Sequence, residues 1–482
     1  MAELMVTTEP LLFATTENLS KGRGQGELIM SPALNGCSTC SSKTDPVCQS
    51  AESMVDECIV LAESPGALVK LCGISVLERL LRSLERCGFK RAVILSSAPD
   101  VISQDLAQSS WPRAQLDVTV RSRGTGAITV EQVLDIWPQG AELLLVVRGD
   151  TVFDDRLLRT LATQKKQTAL VDSAAPPPLQ PLVASVPKSI RGKFCGAAIV
   201  HSDWAWRQNG PLEEILGNAL EHGDFAPLDA AAQPLYSVTM RREVRPFWFP
   251  APPPANQKLA EQLLVNSAQK GALDFPAWIH APLENFLISH LCKTSITPNQ
   301  LTLFCNMVAW AATILFATGH LIWGTALALI VGVLDGLDGK QARIKVETSK
   351  SGKLEHWLDG LFEISWWTAL AYHFQSSGEL PQAYYYLFLL LLAEAVDAIA
   401  KGSILLTYRK LIDELGPFDR VVRFVGGRRN IYVWILAVGI LLAVPAKAFI
   451  TMAWWEVVTA AVHIPRAAWA LWAFRKSCRG IR

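Results

Sequence analysis

The sequence lacks several features that would indicate other classes of protein. Its 482 residues carry a formal net charge of +1, and no basic tract suggests a nucleic-acid partner. The ten cysteines are scattered, several of them within apolar segments, which favours a reducing compartment over a disulfide framework. Glu3 and Glu9 precede the first long apolar segment and no basic n-region is present, so we expect no signal peptide. We find no internal repeat of the kind that many transporters contain.

Long apolar runs are present, but only in the second half of the chain. Half of the residues are hydrophobic, and the length predicts more than one domain. Each run is near the length that crosses a bilayer, which predicts six transmembrane helices in an all-α bundle. The predicted spans are roughly 301–319, 321–336, 357–375, 383–406, 430–446 and 449–473.

The charges of the loops predict the orientation of these spans. The loops after the second and fourth spans and the tail after the sixth are rich in Lys and Arg, whereas the loops near Gly319 and across 375–382 have none. By the positive-inside rule, both termini and the loop after the second span face the cytoplasm of an inner membrane.

The first part of the chain reads like a soluble protein. Residues 1–50 are rich in Ser, Thr, Gly and Asn and are predicted to be flexible. Residues 51–250 alternate strands with helices, which is typical of a Rossmann-like α/β domain with parallel βαβ units. Residues 251–295 form a linker that ends in an amphipathic helix with aromatic side chains, predicted to lie at the membrane interface. Residues 296–482 form the membrane domain.

Two acids stand where the second apolar run ends. Asp335 and Asp338 are three residues apart, which in a helix puts both carboxylates on one face. Gly339 and Ala342 extend this face with almost no side chain, so a nucleotide can approach the backbone closely, and Arg343 suits phosphate oxygens. Charges at membrane depth are costly, and they usually face a polar cavity that has a function.

A second pair of acids begins the third span. Glu355 and Asp359 are four residues apart, so two facing helices would each present two carboxylates. Hard oxygen ligands in this arrangement favour Mg²⁺ or Mn²⁺, with room for two ions. The alternative is that the acids form simple ion pairs at the end of a span with Lys340, Arg343 and Lys345.

The segment from Asp335 to Arg343 resembles the signature of the CDP-alcohol phosphatidyltransferase family, Asp-x2-Asp-Gly-x2-Ala-Arg-x8-Gly-x3-Asp-x3-Asp. The residues in register are Asp335, Asp338, Gly339, Ala342, Arg343 and Gly352. Thr297-Pro298-Asn299 also matches the element that precedes the family's first span. The likeness covers about residues 275–482.

The resemblance implies a reaction and a set of site residues. An acceptor hydroxyl attacks the β-phosphorus of a CDP-alcohol, and CMP leaves. The implied metal ligands are Asp335, Asp338, Glu355 and Asp359, and Asp359 is also the implied general base. The implied CDP-binding residues are Asn299, Thr302, Gly339, Ala342, Arg343 and Gly352. Homodimers are usual in the family.

The sequence departs from the family's pattern in the second half of the motif. In strict register the third and fourth acids would fall at His356 and Gly360, but the acids present are Glu355 and Asp359, one position early. A deletion of one residue in the linking loop accounts for this. His356 is then a candidate ligand of the metal, a candidate partner of one of its ligands, or an ordinary polar residue.

Paired arginines mark a candidate acceptor site. Arg428 and Arg429 begin the fifth span, and cations at a helix N-terminus suit the phosphate of a phosphorylated acceptor. Topology signalling explains either arginine equally well. Within the fourth span, Glu394 and Asp397 either line the polar cavity or pair with Lys401.

Residues 56–250 resemble the nucleotidyltransferases that make nucleotide-activated sugars and polyols. The Arg148-Gly149-Asp150 segment fits, and Asp150 is a candidate metal ligand. However, the loop 62–68 carries Glu63 and Pro65 where bare amides would hold a triphosphate, and only Lys70 is left to stand for its lysine. A second metal acid is missing near 248–250. We therefore interpret this domain as catalytically inactive.

The predicted function is metal-dependent transfer of a phosphatidyl or phosphopolyol group from a CDP-alcohol to an acceptor hydroxyl, in phospholipid or head-group biosynthesis. The donor would be CDP-diacylglycerol or a CDP-polyol, and the acceptor an alcohol or phosphorylated polyol. The alternatives are a bifunctional enzyme that also makes its CDP-polyol from CTP, a six-helix cation-coupled transporter, and an inactive membrane scaffold. A transporter would place its acids near the bilayer midplane, whereas these lie at one end of the spans.

Overall fold

The computed structural model describes residues 55–111, 113–124, 126–271, 274–347 and 352–479, with side chains described from 359 to 476 in the last range. The segment 1–50 lies outside the described residues. It contains Cys37, Cys40 and Cys48, whose spacing makes them a candidate metal site in the sequence.

The first part of the described chain is an α/β domain. Its strands are β1 (Glu57–Ala62), β2 (Lys70–Leu71), β3 (Ile74–Ser75), β4 (Arg91–Ser96), β5 (Asp117–Ser122), β6 (Leu143–Arg148), β7 (Thr151–Phe153), β8 (Thr168–Asp172), β9 (Lys188–Ser189), β10 (Gly192–His201), β11 (Ala226–Asp229), β12 (Tyr236–Ser237), β13 (Arg242–Glu243) and β14 (Trp248–Pro250). The main sheet has the order β11-β8-β10-β6-β1-β4-β5, and β9 joins it beside β10.

The helices of this part pack on both faces of the sheet. They are α1 (Val76–Cys87), α2 (Pro99–Gln108), α3 (Val130–Leu134), α4 (Asp155–Ala162), α5 (Ser202–Ala205), α6 (Leu212–His222) and α7 (Gln257–Ser267). β1 pairs in parallel with both β4 and β6, as predicted for βαβ units, whereas β10 runs antiparallel to β6 and β8. The Rossmann-like prediction is therefore confirmed with one antiparallel strand inserted in the sheet.

Alternation along the central strands divides the core. Val60 of β1 packs in one apolar cluster and its neighbours Ile59 and Leu61 in another, because successive side chains of a strand point to opposite faces. Ser75 caps α1 by accepting a hydrogen bond from the amide of Glu78, and Gly88 ends the helix in the left-handed region. The cap and the glycine thus set the two ends of α1.

The second part is helical. Its elements are α8 (Phe275–Leu291), α9 (Pro298–Ala317), α10 (Leu321–Ile344), α11 (Gly352–Ser376), α12 (Ala383–Tyr408), α13 (Pro417–Val425), α14 (Arg429–Leu441) and α15 (Pro445–Arg479). Six of these occupy the positions of the predicted spans. α10 continues to Ile344, so the motif from Asp335 to Arg343 is helical throughout.

Fewer than six of these helices are long and apolar enough to be recognised as spans. Three helices in the described part of the chain meet that standard, Pro298–Ala317, Leu321–Ile344 and Pro445–Lys476. The pair Pro417–Val425 and Arg429–Leu441, bent by 45°, would add a fourth if it were one span. A membrane protein is indicated, but the predicted count of six spans is not confirmed.

The helix α8 packs against α10 through a stripe of small residues. His280 and Glu284 of α8 are buried, and a Cβ added at Gly332 or Gly336 of α10 would lie 2.8 Å from the His280 ring or 2.6 Å from Glu284 Oε1. On its other side α8 exposes Trp278 and Phe286, at 65% and 64%. One buried side and one exposed side match the amphipathic helix that the sequence predicts. The buried side packs α8 against α10, the helix that carries the motif.

Candidate functional site

The first acid of the motif is paired with an arginine of another helix. Arg429 Nη2 at the start of α14 lies 2.5 Å from Asp335 Oδ2 of α10, and the two side chains are 12% and 30% exposed. The guanidinium of Arg429 also lies over the Phe362 ring of α11, 4.9 Å from its centroid. Arg429 thereby connects α10, α11 and α14 around one carboxylate.

The second acid is buried and held by the first span. Asp338 is 5% exposed, and its Oδ2 accepts a hydrogen bond of 2.6 Å from the hydroxyl of Thr302 on α9. The hydroxyl of Thr302 lies 3.2 Å from the carbonyl oxygen of Pro298 as well. The predicted CDP-binding residue Thr302 therefore contacts a predicted metal ligand.

Asp359, at the start of α11, belongs to the same electrostatic cluster. The Arg429 guanidinium interacts electrostatically with the carboxylates of Asp335, Asp359 and Glu363. The Cys305 thiol of α9 interacts in the same way with Asp335, Asp338 and Asp359. The side chains of Gly352, Glu355 and His356 lie outside the described residues. Among the side chains that are described, no three acids, histidines or cysteines converge as a metal site.

The donor set nevertheless suits a hard divalent cation. Asp335 and Asp359 interact with the same guanidinium, and with Asp338 they interact with the same thiol; carboxylate oxygens are the ligands that Mg²⁺ and Mn²⁺ prefer. Such a density of negative charge near a bilayer is costly unless it is neutralised.

The basic residues of the motif turn away from its acids. Lys340 is fully buried and pairs with Glu284 of α8 at 3.0 Å, and it also donates to Asn285 Oδ1 at 2.8 Å. Lys345 Nζ donates to the carbonyl of Thr294 at 2.8 Å. Lys340 and Lys345 thus bond groups other than the acids to which the ion-pair alternative would join them.

Arg343 is hydrogen-bonded at the junction with the α/β domain. Its Nε donates to the carbonyl of Ala268 at 2.8 Å, and the side chain lines a cavity of about 370 Å³ shared with Arg79, Arg86 and Arg156 of the α/β domain. The Asp338 carboxylate still interacts electrostatically with Arg343, so the predicted role of Arg343 in binding the diphosphate stays a prediction.

Two other predicted CDP-binding residues share a larger cavity. Asn299 and Ala342 line about 670 Å³ of space together with residues of α1 and of the loop 110–115. Gly339 lies one turn before Arg343, and a Cβ added there would be 3.2 Å from Arg343 Nη1. The small residues of the motif thus keep space open at the junction of the two parts of the chain.

The candidate acceptor site is divided by the structure. Arg429 is committed to Asp335, whereas Arg428 lines a small cavity with Lys401, Arg423 and His463. The predicted pairing of Asp397 with Lys401 is confirmed, and His463 Nδ1 lies 2.6 Å from Asp397 Oδ1. His463, which the sequence did not single out, is 3% exposed.

In the α/β domain an arginine occupies the place beside the predicted metal acid. Asp150 is buried, and Arg148 donates to it through Nε at 3.1 Å and through Nη2 at 3.0 Å. Arg148 also pairs with Glu213 at 3.2 Å. Burial opposes the charge of Arg148, but its hydrogen bonds with Asp150 outweigh this and raise its pKa.

The loop after β1 uses its own amides. The amide of Gly66 donates to Ser64 Oγ at 3.0 Å, and the amide of Ala67 donates to the carbonyl of Ser64 at 3.2 Å. Glu63 accepts from the amide of Ile128 at 2.7 Å, and Lys70 is exposed. Pro250 pairs with Thr151, so the segment from which the second acid is missing does lie beside Asp150.

Sequence reasoning missed two acids. Glu284 pairs with the fully buried Lys340, and Glu363 follows Asp359 by one helical turn close to Arg429. The i, i+4 spacing of Asp359 and Glu363 was a readable signal for the latter. Nothing in the sequence pairs residues 284 and 340, because they meet only when α8 packs on α10.

Comparison with known proteins identifies part of the chain. Residues 295–462 match the family model described as CDP-alcohol phosphatidyltransferase. The matched residues lie in the helical part of the chain. The acids Asp335, Asp338 and Asp359 all lie within the matched residues.

Two proteins of similar sequence are named as transferases or synthases. A protein of Rubrobacter xylanophilus named bifunctional IPC transferase and DIPP synthase is 27% identical over 212 residues, 42% of this chain and 44% of the relative. A phosphatidylinositol phosphate synthase of Corynebacterium glutamicum is 33% identical over 101 residues, 19% of this chain and 43% of the relative. The chain thus spans less than half the length of each of these relatives.

A solved structure is similar to part of the chain. The inositol-1-phosphate CTP transferase from T. maritima aligns with a TM-score of 0.32 and 14% identity, covering 44% of this chain and 96% of that one.

Proposed function

We propose that the chain is a divalent-metal-dependent CDP-alcohol phosphotransferase that releases CMP on the cytoplasmic side of a membrane. The observation that carries this proposal is that α9, α10, α11 and α14 meet at the acids of the motif. Thr302 of α9 bonds Asp338 of α10, and Arg429 of α14 bonds Asp335 of α10 while packing on α11. The match of residues 295–462 to the family supports the same activity.

The residues present suit one chemical course. The acceptor hydroxyl oxygen forms a bond to the β-phosphorus of the donor, and the bond from that phosphorus to the bridging oxygen breaks. CMP leaves with the electron pair, and the hydroxyl proton passes to the Asp359 carboxylate. Asp335, Asp338, Glu355 and Asp359 would hold one or two Mg²⁺ or Mn²⁺ ions, which supply charge neutralisation for the diphosphate.

The acceptor that we favour is a phosphorylated polyol. The name of the relative in Corynebacterium glutamicum, phosphatidylinositol phosphate synthase, points to an inositol phosphate. Arg428 lies beside Lys401 and Arg423, which pair with Asp397 and Asp413, and the guanidinium of Arg428 suits a phosphate. Because Arg429 is bonded to Asp335, we assign the acceptor phosphate to Arg428 rather than to both arginines.

The experiment is CMP release by the full chain in detergent. CDP-diacylglycerol and CDP-inositol are tested as donors against inositol phosphate, glycerol phosphate and free inositol, with Mg²⁺ or Mn²⁺. We expect CMP with at least one pair, and none after chelation of the metal. Absence of CMP with every pair contradicts the proposal.

We infer that the α/β domain does not transfer a cytidylyl group. Arg148 donates hydrogen bonds to the Asp150 carboxylate that a metal would need. In the loop 62–68, the Gly66 amide is hydrogen-bonded within the loop, to Ser64, and so is not directed at a triphosphate. The bifunctional alternative predicts pyrophosphate release from CTP and a polyol phosphate. We expect none from the full chain, and Asp150→Asn should leave CMP release unchanged. CTP-dependent pyrophosphate release that Asp150→Asn abolishes would restore the bifunctional reading.

A further inference from the structure

The last turn of the motif helix ends in a conformation that glycine normally adopts. After Ile344, Val346 has a φ of 53°, the amide of Val346 donates to the carbonyl of Arg343 at 3.3 Å, and that of Glu347 donates to Ala342 at 2.8 Å. This is the Schellman arrangement, in which the left-handed residue is usually Gly. A β-branched residue in that region is strained, and it persists only when the surroundings hold it there.

Three arginines of the α/β domain hold this turn. Arg79, Arg82 and Arg86 occupy one face of α1. Arg79 donates to the carbonyl of Ile344, Arg82 to that of Lys345 at 2.9 Å, and Arg86 to that of Glu347 at 3.2 Å.

These contacts satisfy carbonyl groups that the helix itself leaves without partners, and they place cations at the negative end of its dipole. Arg79 and Arg82 are only 3% and 2% exposed. Buried charges are costly unless they are paired, so this surface is a built interface between the two parts of the chain. Glu78 completes it by pairing with Arg82 at 2.5 Å.

The same surface borders the cavity that contains two predicted donor-binding residues. Asn299 and Ala342 line one side of the 670 Å³ cavity, and Arg82, Arg86 and Trp111 line the other. Glu85 orders this second wall, since Trp111 Nε1 donates to it at 2.6 Å and the amide of Gln115 at 2.7 Å. The volume falls in the range of small-molecule sites.

We propose that the α/β domain positions the donor site of the membrane domain, with Arg79, Arg82 and Arg86 fixing the last turn of α10 and α1 forming one wall of the nucleotide pocket. This inference rests on the proposed function, since it assigns the cavity to the cytidine end of a CDP-alcohol. The three arginines are positioning residues that act through the backbone of residues 344–347, and Arg82 and Arg86 also form part of the pocket wall. A domain without its own transferase chemistry then still serves the reaction.

The test measures CMP binding by the full chain in nanodiscs, by calorimetry with Mg²⁺ present. Arg86→Met removes the bond to Glu347 and an ion pair with Asp155 at 3.1 Å from a side chain that is 26% exposed, so the fold should survive. We expect the dissociation constant for CMP to rise roughly tenfold, the scale of coupling between contacting groups. In turnover assays the donor KM should rise while the acceptor KM stays unchanged.

Lys90→Met is the matched control. It removes a cation from an ion pair of the same domain, with Asp56 at 2.9 Å, at a side chain that is 76% exposed. Its affinity for CMP should equal that of the wild type. Arg82→Lys is a second variant of the interface, because a compact ammonium cannot reach Glu78 and the carbonyl of Lys345 together as the planar guanidinium does. It should show the same loss on the donor side.

A rescue separates positioning from general stability. Glycine adopts a φ of 53° without strain, so Val346→Gly should make the turn less dependent on the arginines. We expect Arg86→Met combined with Val346→Gly to recover most of the affinity for CMP.

Several outcomes overturn the inference. In the first, Arg86→Met and Arg82→Lys bind CMP as tightly as Lys90→Met does. In the second, the donor KM and the acceptor KM rise equally. In the third, Val346→Gly does not restore the affinity of Arg86→Met for CMP. If the wild type binds CMP and releases it from a donor, only the positioning role fails in these cases. If the wild type neither binds nor releases CMP, the proposed function fails first.

Discussion

Arg429 Nη2 lies 2.5 Å from Asp335 Oδ2, so a cation already stands beside the first acid of the motif. The pair joins the start of α14 to the second half of α10, two segments 94 residues apart in the chain. Because the guanidinium also packs over Phe362, its position is set from three helices. This arginine is therefore part of the acidic site as well as of the membrane topology.

Replacing Arg429 should separate its two effects on the reaction. Arg429→Met removes the partner that orients Asp335, and loss of such supporting contacts typically lowers metal-dependent activity roughly tenfold to a hundredfold. It also removes a positive charge near the predicted metal, so the Mg²⁺ concentration at half-maximal activity should fall. CMP release measured against Mg²⁺ reports both quantities.

Arg420→Met is the control for this experiment, because Arg420 is an exposed cation of the neighbouring α13. We expect its activity and Mg²⁺ dependence to match those of the wild type. An Arg429→Met variant with full kcat would contradict the supporting role of the pair.

Thr302 should contribute through Asp338. Thr302→Val keeps the shape of the side chain and removes the 2.6 Å hydrogen bond to the buried carboxylate. A hydrogen bond to a charged group is worth about 1.5–3 kcal/mol, so kcat should fall by roughly one to two orders of magnitude. Thr313→Val on the same helix removes a hydroxyl that bonds Ser365 at 2.8 Å, away from the acids, and should keep full activity. Equal activity of the two variants would refute this assignment.

The register of the second pair of acids is tested at adjacent positions. Asp359→Asn keeps the shape of the side chain and should abolish CMP release, because the variant cannot take the proton of the acceptor. Gly360 is where strict family spacing would put an acid, and a Cβ there would meet no atom within 4 Å. Gly360→Ala should therefore be active. An active Asp359→Asn protein would show that the one-residue shift is wrong.

The packing of α8 on α10 should depend on the absence of a side chain at residue 336. In Gly336→Ala the new Cβ would lie 2.6 Å from Glu284 Oε1 and displace the partner of Lys340. Overpacking of this kind costs about 1–3 kcal/mol, which a lowered melting temperature in detergent would show. Gly402→Ala in α12, where an added Cβ meets nothing within 4 Å, should melt like the wild type. Equal melting of both variants would mean that α8 is not packed as described.

Local pattern was sufficient for much of the fold. The bounds of α1, the strands β1 and β4, and the helical spacing of Asp335 and Asp338 follow from periodicity and caps that act over a few residues. The division into an α/β part and a helical part follows from the distribution of apolar residues.

Local pattern did not determine which charges meet. The sequence left open an alternative in which Lys340 and Lys345 pair with the acids of the motif, yet Lys340 bonds Glu284 and Lys345 bonds the carbonyl of Thr294. Arg428 and Arg429 looked alike as paired arginines, and only the approach of α14 to α10 distinguishes them. Adjacent residues of a helix point about 100° apart, so neighbours in sequence reach different partners.

The sequence by itself determined the acidic motif, its helical face and the family that it indicates, because these depend on spacing along one helix. The tertiary structure decided that Arg429 joins Asp335, that Arg148 occupies Asp150, and that the arginines of α1 hold the end of α10. These contacts bridge distant segments, and their energies depend on burial and on the approach of packed elements, which no local pattern contains.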